Sequence, residues 1–278
     1  MIATSVSREA LLHVAKTLPA APQVLAQLGR LLLDINSDLA DITQLLKRDA
    51  ALTSRIIRIS NSAIYNTGLP FASLEDALAR VGYTEVYRLT GFAAVAQLAD
   101  QHLPTYGVSG VQLRENALLT ALIMEAAAPA TGLDAREAYT AGLLRSTGKI
   151  ALDRLGRGSR NAFEAGGSEG IATWETACIG MTNVEAAALI LGEWRFPADT
   201  VEAIRDHYLD QSSSFALTHL LNLAGGAAEQ CGHGLPGESR YFKDTAASLA
   251  VVGMKQEMLQ SATKQAVGIF NAVKNAVA

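Results

Sequence analysis

Five histidines, His13, His102, His207, His219 and His233, are the side chains here best suited to bind a transition metal or move a proton near neutral pH. No two stand three or four residues apart, so no helix face presents a pair, and the H-E-x-x-H pattern is absent. His219 falls on the apolar side of a helical stretch, where a hydrogen-bonded core histidine is favoured over a ligand. Cys178 and Cys231 form no C-x-x-C motif and read as buried small hydrophobes, and Cys178 has no histidine near it in sequence to activate it. G-x-G-x-x-G and P-loop patterns are missing, which removes those routes to nucleotide binding. Arg154, Arg157 and Arg160, around Gly156 and Gly158, form a basic cluster that reads as a solvated loop before it reads as a phosphate site.

These residues must be positioned by helices. Hydrophobic residues make up 49% of the 278 positions and aromatics only 6%, with Ala and Leu dominant, a mixture that suits packed helices better than strands. The net charge of −4 gives no basic face for nucleic acid, so none is expected as a partner. The first 16 residues carry Arg8 and Glu9 and do not read as a signal peptide. No apolar run approaches the ~20 residues of a membrane span, so the cytoplasm is the expected location, without membrane association.

Periodicity places the helices. After Pro22, the residues Val24, Leu25, Leu28, Leu31, Leu32 and Ile35 share one face. Ser37 or Asp38 caps a second helix and Leu52 to Ile59 forms a third, while Ser73 with Asp76 opens a fourth. A longer helical stretch runs from about 85 to 101. Pro104, Gly107 and Gly110 mark the best boundary between subdomains. A long helix from about 111 to 128 is expected to stop at Pro129 and Gly132, and another follows Asp134 and Glu137 to about Arg145. Residues 156–170 read as an exposed glycine-rich connection. Thr182 and Glu185 form a capping box, and helices near 215–231 and 256–273 complete the chain, with a turn-rich loop at 232–238. No strand pair is evident.

Several linked motifs then stand out. Leu18-Pro19 precedes Pro22, and Lys47-Arg48-Asp49-Ala50-Ala51-Leu52-Thr53 leads to Arg55. Asn61-Ser62-Ala63-Ile64-Tyr65 is followed by Ser73-Leu74-Glu75-Asp76-Ala77-Leu78 and then Val81-Gly82. In this order and spacing the chain resembles the HDOD family, bacterial signalling-output domains related to the HD metal phosphohydrolases. The resemblance implies an all-α fold with an N-terminal extension over 1–17, an N-terminal helical subdomain over 18–105 and a degenerate HD-like subdomain over 106–278. Because no second recognisable module accompanies it, an interaction partner among signalling proteins is expected, and a homo-oligomer stays open.

The resemblance also locates a metal site, at Asn116, Arg145, Ser146, Asn183, His207 and Asn222. The metal enzymes carry His and Asp at such positions. Here only His207 is an ordinary transition-metal ligand; amides bring no charge, and Arg145 puts a cation where the ion would sit. No metal, cofactor or catalytic residue is therefore expected. Asn116, Arg145, Asn183, His207 and Asn222 would line one converted pocket, able to anchor an anion or, as the favoured reading, to form a satisfied polar network. Asn61, Ser62 and Tyr65 are either a lock on the third helix or a partner-recognition edge, the lock being favoured. The function expected is a non-enzymatic regulatory module acting through protein–protein interaction. The alternatives are an HD-type phosphohydrolase and a small anionic-ligand sensor.

Overall fold

A computed structural model describes residues 6–62, 65, 68, 70–71, 73–99, 102–156, 162–164, 170–208, 215–242 and 245–277. Arg157, Gly158 and Arg160, Ala63 and Ile64, and most of the glycine-rich connection lie outside the described residues. The fold is all-α. Among the described residues the only pairing of extended backbone is one bridge, Leu103 with Val108.

The helices, in chain order, are α1 (Arg8–Thr17), α2 (Ala21–Leu31), α3 (Leu39–Leu46), α4 (Ala50–Ser60), α5 (Leu74–Val81), α6 (Tyr83–Leu98), α7 (Gly110–Thr131) and α8 (Ala135–Leu144). They continue with α9 (Thr147–Gly156), α10 (Ile171–Cys178), α11 (Asn183–Glu193), α12 (Ala198–Asp206), α13 (Ala216–Ala228), α14 (Thr245–Val251) and α15 (Gln256–Val277). Contacts divide the chain into one unit of Met1–Leu18 with Ala99–Gly268 and another of Pro19–Leu98 with Ile269–Ala278.

In the smaller unit, α2 begins with Pro22 in its first turn, where a missing N–H costs nothing. It ends four residues earlier than the apolar periodicity suggests. Asp34 Oδ1 accepts hydrogen bonds from both the backbone and the side chain of Asn36, a local turn that competes with the helix. Ile35 is thereby left 97% exposed instead of joining the core face. Asp38 caps α3 through a reciprocal pair with Asp41, and Ser73 caps α5 through the Asp76 amide.

In the larger unit, Ser109 and Gln112 form the capping box of α7. Contrary to the sequence expectation, α7 runs through Pro129 to Thr131 and stops only at Gly132, whose φ of +75° is left-handed. Proline within the last turn removes one bond without blocking the residues after it. Close backbone approach then draws the helices together. A Cβ on Gly148 would lie 1.9 Å from the Asn183 carbonyl oxygen, so only glycine lets α9 meet α11 there. Four helices, α1, α9, α10 and α14, have no counterpart in the periodicity reading. Cys231, expected inside, is exposed, and Cys178 is half-buried.

Candidate functional site

The larger unit gathers polar groups from seven segments into its interior. Asn116 comes from α7, Arg145 from the C-terminal cap of α8, Lys149 from the first turn of α9 and Glu175 from α10. Asn183 opens α11, His207 caps α12 and Asn222 lies in α13. All are buried, Arg145 and Lys149 each being only 1% exposed. A charge that deep survives only when paired, and the pairing is extensive.

Arg145 is the hub. Its Nη2 donates to Asn116 Oδ1 at 2.7 Å and to Glu238 Oε2 at 2.8 Å. Its Nη1 lies 3.3 Å from His207 Nε2. The other ring nitrogen of His207, Nδ1, lies 2.7 Å from the Ile204 carbonyl oxygen, which can only accept. Nδ1 therefore carries the proton, and Nε2 offers its lone pair to the guanidinium. Burial, reinforced by the Arg145 charge, pushes the His207 pKa down to about 3, so the ring is neutral.

Lys149 Nζ donates to Glu238 Oε1 at 2.6 Å and to the Tyr208 hydroxyl at 3.0 Å. Tyr208 in turn donates to Glu238 Oε1 at 3.0 Å and accepts from Asn183 Nδ2 at 3.1 Å. Burial would raise the Glu238 carboxyl, but the charges and hydrogen bonds of Arg145 and Lys149 outweigh it and hold the group well below the usual carboxylate range. Burial and the Glu238 charge push the Tyr208 hydroxyl far up, keeping it a donor.

A second carboxylate continues the network. Glu175 accepts from the Asn183 amide at 2.7 Å, from Asn183 Nδ2 at 2.9 Å and from the Tyr106 hydroxyl at 2.8 Å. Burial raises its pKa, partly offset by Lys149 and these donors. Asn222 Nδ2 donates to the His207 carbonyl at 2.8 Å and the Tyr241 carbonyl at 2.7 Å, while Tyr208 and Tyr241 stack with centroids 4.2 Å apart.

The five pocket residues read from the sequence thus come together. Asn116, Arg145 and His207 touch directly, Asn183 joins through Tyr208, and Asn222 holds the His207 backbone. Ser146 is buried beside them, its Oγ without a hydrogen bond. Glu238, Lys149, Glu175, Tyr208 and Tyr106 were missed as members of the site. Tyr208 adjoins His207 and Lys149 lies just after Ser146, but Glu238 sits 93 residues from its partner Arg145, in a loop with no motif.

A divalent metal does not fit this donor set. Nε2 of His207, the one imidazole lone pair available, faces a guanidinium, and the amide oxygen of Asn116 does too. Among the described residues no group of three or more His, Cys, Asp or Glu side chains could hold a metal ion.

In the smaller unit, Asn61 clamps the chain after α4. Its Nδ2 donates to the Phe71 carbonyl at 3.0 Å, and its Oδ1 accepts from the Phe71 amide at 2.6 Å. The Tyr65 hydroxyl bonds to the Glu85 and Arg88 side chains, and burial with the Glu85 charge raises its pKa well above the usual range. Ser62 is half-buried and donates its amide to the Ile59 carbonyl at 2.9 Å.

A model of the HDOD domain matches residues 18–209. Among solved structures, an HDOD domain protein of unknown function from Geobacter sulfurreducens superposes with a TM-score of 0.70 at 18% identity, over 97% of this chain and 99% of that one. A Shewanella amazonensis SB2B protein whose name suggests a phosphohydrolase gives 0.62 at 21% identity, over 97% and 98%. A Marinobacter aquaeolei VT8 protein whose name suggests signal transduction gives 0.68 at 17%, over 97% of this chain and 64% of that one. These identities establish a shared fold. None of the curated proteins matches the chain.

Proposed function

The chain belongs to the HDOD domain family, and from that premise we propose that it is a non-enzymatic regulatory module that acts by binding a signalling protein. The observation that supports this reading is the Arg145 guanidinium lying against His207 Nε2 and paired with Glu238. It puts a fixed, always-charged cation where a hydrolase would need an exchangeable metal with an open position for water. With its Nε2 lone pair facing the guanidinium, His207 is not free to ligate a metal that would activate a water. A signalling-related name on one of the structural neighbours agrees with a regulatory role.

Capture of partners by the full chain in its native cell, followed by reconstitution with the purified candidate, tests the proposal. A purified signalling protein that binds stoichiometrically, and whose activity changes on binding, is the expected result. Metal-dependent phosphatase or phosphodiesterase turnover that disappears in His207→Ala would overturn it.

A further inference from the structure

Glu238 reaches Arg145 and Lys149 on a segment unlike the packed helices that supply the two cations. After α13 the chain makes a wide turn at Glu229–His233, passes Leu235 and Glu238, and makes one tight turn at Ser239–Tyr241. Gly232 and Gly237, at φ +86° and +76°, both lie on the stretch leading into Glu238, Gly237 immediately before it. This strap is tied down by the residues of the converted site. Asn116 Nδ2 donates to the His233 carbonyl at 2.7 Å, and Asn222 Nδ2 donates to the Tyr241 carbonyl at 2.7 Å. Other ties come from elsewhere: the amide of Ile171, first residue of α10, donates to the Gly237 carbonyl at 3.2 Å, the Ala172 amide donates to the Tyr241 hydroxyl at 3.2 Å, and Glu115 Oε2 lies 3.2 Å from His233 Nδ1.

The groups that meet the Glu238 carboxylate are a guanidinium, an ammonium and a phenol, at 2.6 to 3.0 Å. Such a set recognises any oxyanion and is indifferent to whether it is attached to the chain. Arg145 Nε, fully buried beside it, makes no hydrogen bond, which leaves this guanidinium a further donor for an anion.

We propose that this cluster is an oxyanion-binding site whose resident occupant is the chain's own Glu238, and that a small soluble carboxylate or phosphate takes its place when the strap swings aside. The proposal does not rest on a protein partner. The closed strap lowers the apparent affinity by the fraction of time the site is open, so weakening the internal competitor must tighten binding. Occupancy of the site and position of the strap become one equilibrium, which gives the module a ligand-dependent surface.

The test titrates the full chain with formate and with inorganic phosphate, ionic strength being held constant with chloride. Hydrogen exchange at the Ile171 amide reads the strap, and the melting temperature reads binding. In the wild type, one of the two oxyanions should raise Ile171 exchange saturably and chloride should not; which one succeeds identifies the class. In Glu238→Gln, which keeps the side chain's size and removes its charge, the same oxyanion should bind about tenfold tighter or more. An unchanged Ile171 exchange in the wild type overturns the proposal, even if the variant binds anions, because Glu238 is then a structural ion pair only. Equal responses to chloride overturn it as well. If Glu238→Gln does not fold, the wild-type exchange decides alone.

Discussion

His207 Nε2 and Arg145 Nη1 lie 3.3 Å apart, imidazole lone pair toward guanidinium, with the His207 Nδ1 proton fixed on the Ile204 carbonyl. Burial, reinforced by that contact, keeps His207 a neutral acceptor inside the protein, and the cost in acid can be measured. The pKa of His207 falls to about 3, against about 6.5 for an unfolded histidine. Between those values the unfolded chain binds a proton that the folded chain refuses. The stabilisation is therefore complete above about pH 6.5 and is lost as pH falls toward 3, at about 1.4 kcal/mol per pH unit in the middle of the window. Glu238, with its pKa lowered, adds a loss that begins in the usual carboxylate range and continues below it, and Glu175, with its pKa raised, acts in the opposite sense just above that range. Urea unfolding of the wild type and His207→Gln across pH 7 to about 4.5 separates His207 from the carboxyls, whose contributions the two proteins share. The stability difference between wild type and variant should shrink steadily as pH falls over that range; a difference that does not change with pH would contradict the assignment.

Replacing one partner of the buried ion pair should cost far more than its surface counterparts do. Glu238→Ala leaves Arg145 and Lys149 desolvated and should lose about 3–5 kcal/mol. Adding Arg145→Met removes one of the stranded charges and should recover part of that loss. Breaking the exposed, solvent-screened pair of Lys47 with Glu75 should cost little by comparison. Chemical denaturation of these variants and of Arg145→Met alone gives the comparison, and simple additivity of the Glu238 and Arg145 costs would show that the two are not coupled.

Asn61→Ala should strand the amide and carbonyl of Phe71, both bound by the Asn61 side chain. The expected cost is about 1–3 kcal/mol, with faster hydrogen exchange at the Phe71 amide. An exchange rate at Phe71 that does not change would favour the recognition reading of this motif over the lock.

Gly148→Ala drives a Cβ into the Asn183 carbonyl, which is backbone and cannot rotate away. A loss of about 3 kcal/mol or more is expected, since α9 must shift against α11 and carry Lys149 off Glu238. The folded variant, if obtained, should also show the pH profile of a loosened network. Thermal unfolding checks the first outcome, and a loss below about 1 kcal/mol would mean the helices are free to part.

Much of this was legible before any coordinates, and what escaped did so for definable reasons. The family resemblance implied that Asn116, Arg145, Asn183, His207 and Asn222 line one pocket. Glu238 escaped because its role depends on a partner 93 residues away and its own loop carries only turn residues. Glu175 and Tyr106 escaped similarly, since no local spacing marks a buried hydrogen bond between α10 and the turn before α7. The fold class followed from composition and capping signals. Periodicity failed at Ile35, where an apolar residue continues the helical register past the point at which Asp34 and Asn36 turn the chain. Hydrophobic spacing cannot see a side chain competing for the backbone.

Metal content of the purified full chain, with Mn, Fe, Ni and Zn measured by elemental mass spectrometry, tests the central claim most directly. With His207 Nε2 facing Arg145 and the guanidinium charge fixed, only trace metal should co-purify, and adding these ions should not raise the melting temperature. Close to one equivalent of any of them, lost in His207→Ala together with phosphohydrolase turnover, would contradict it.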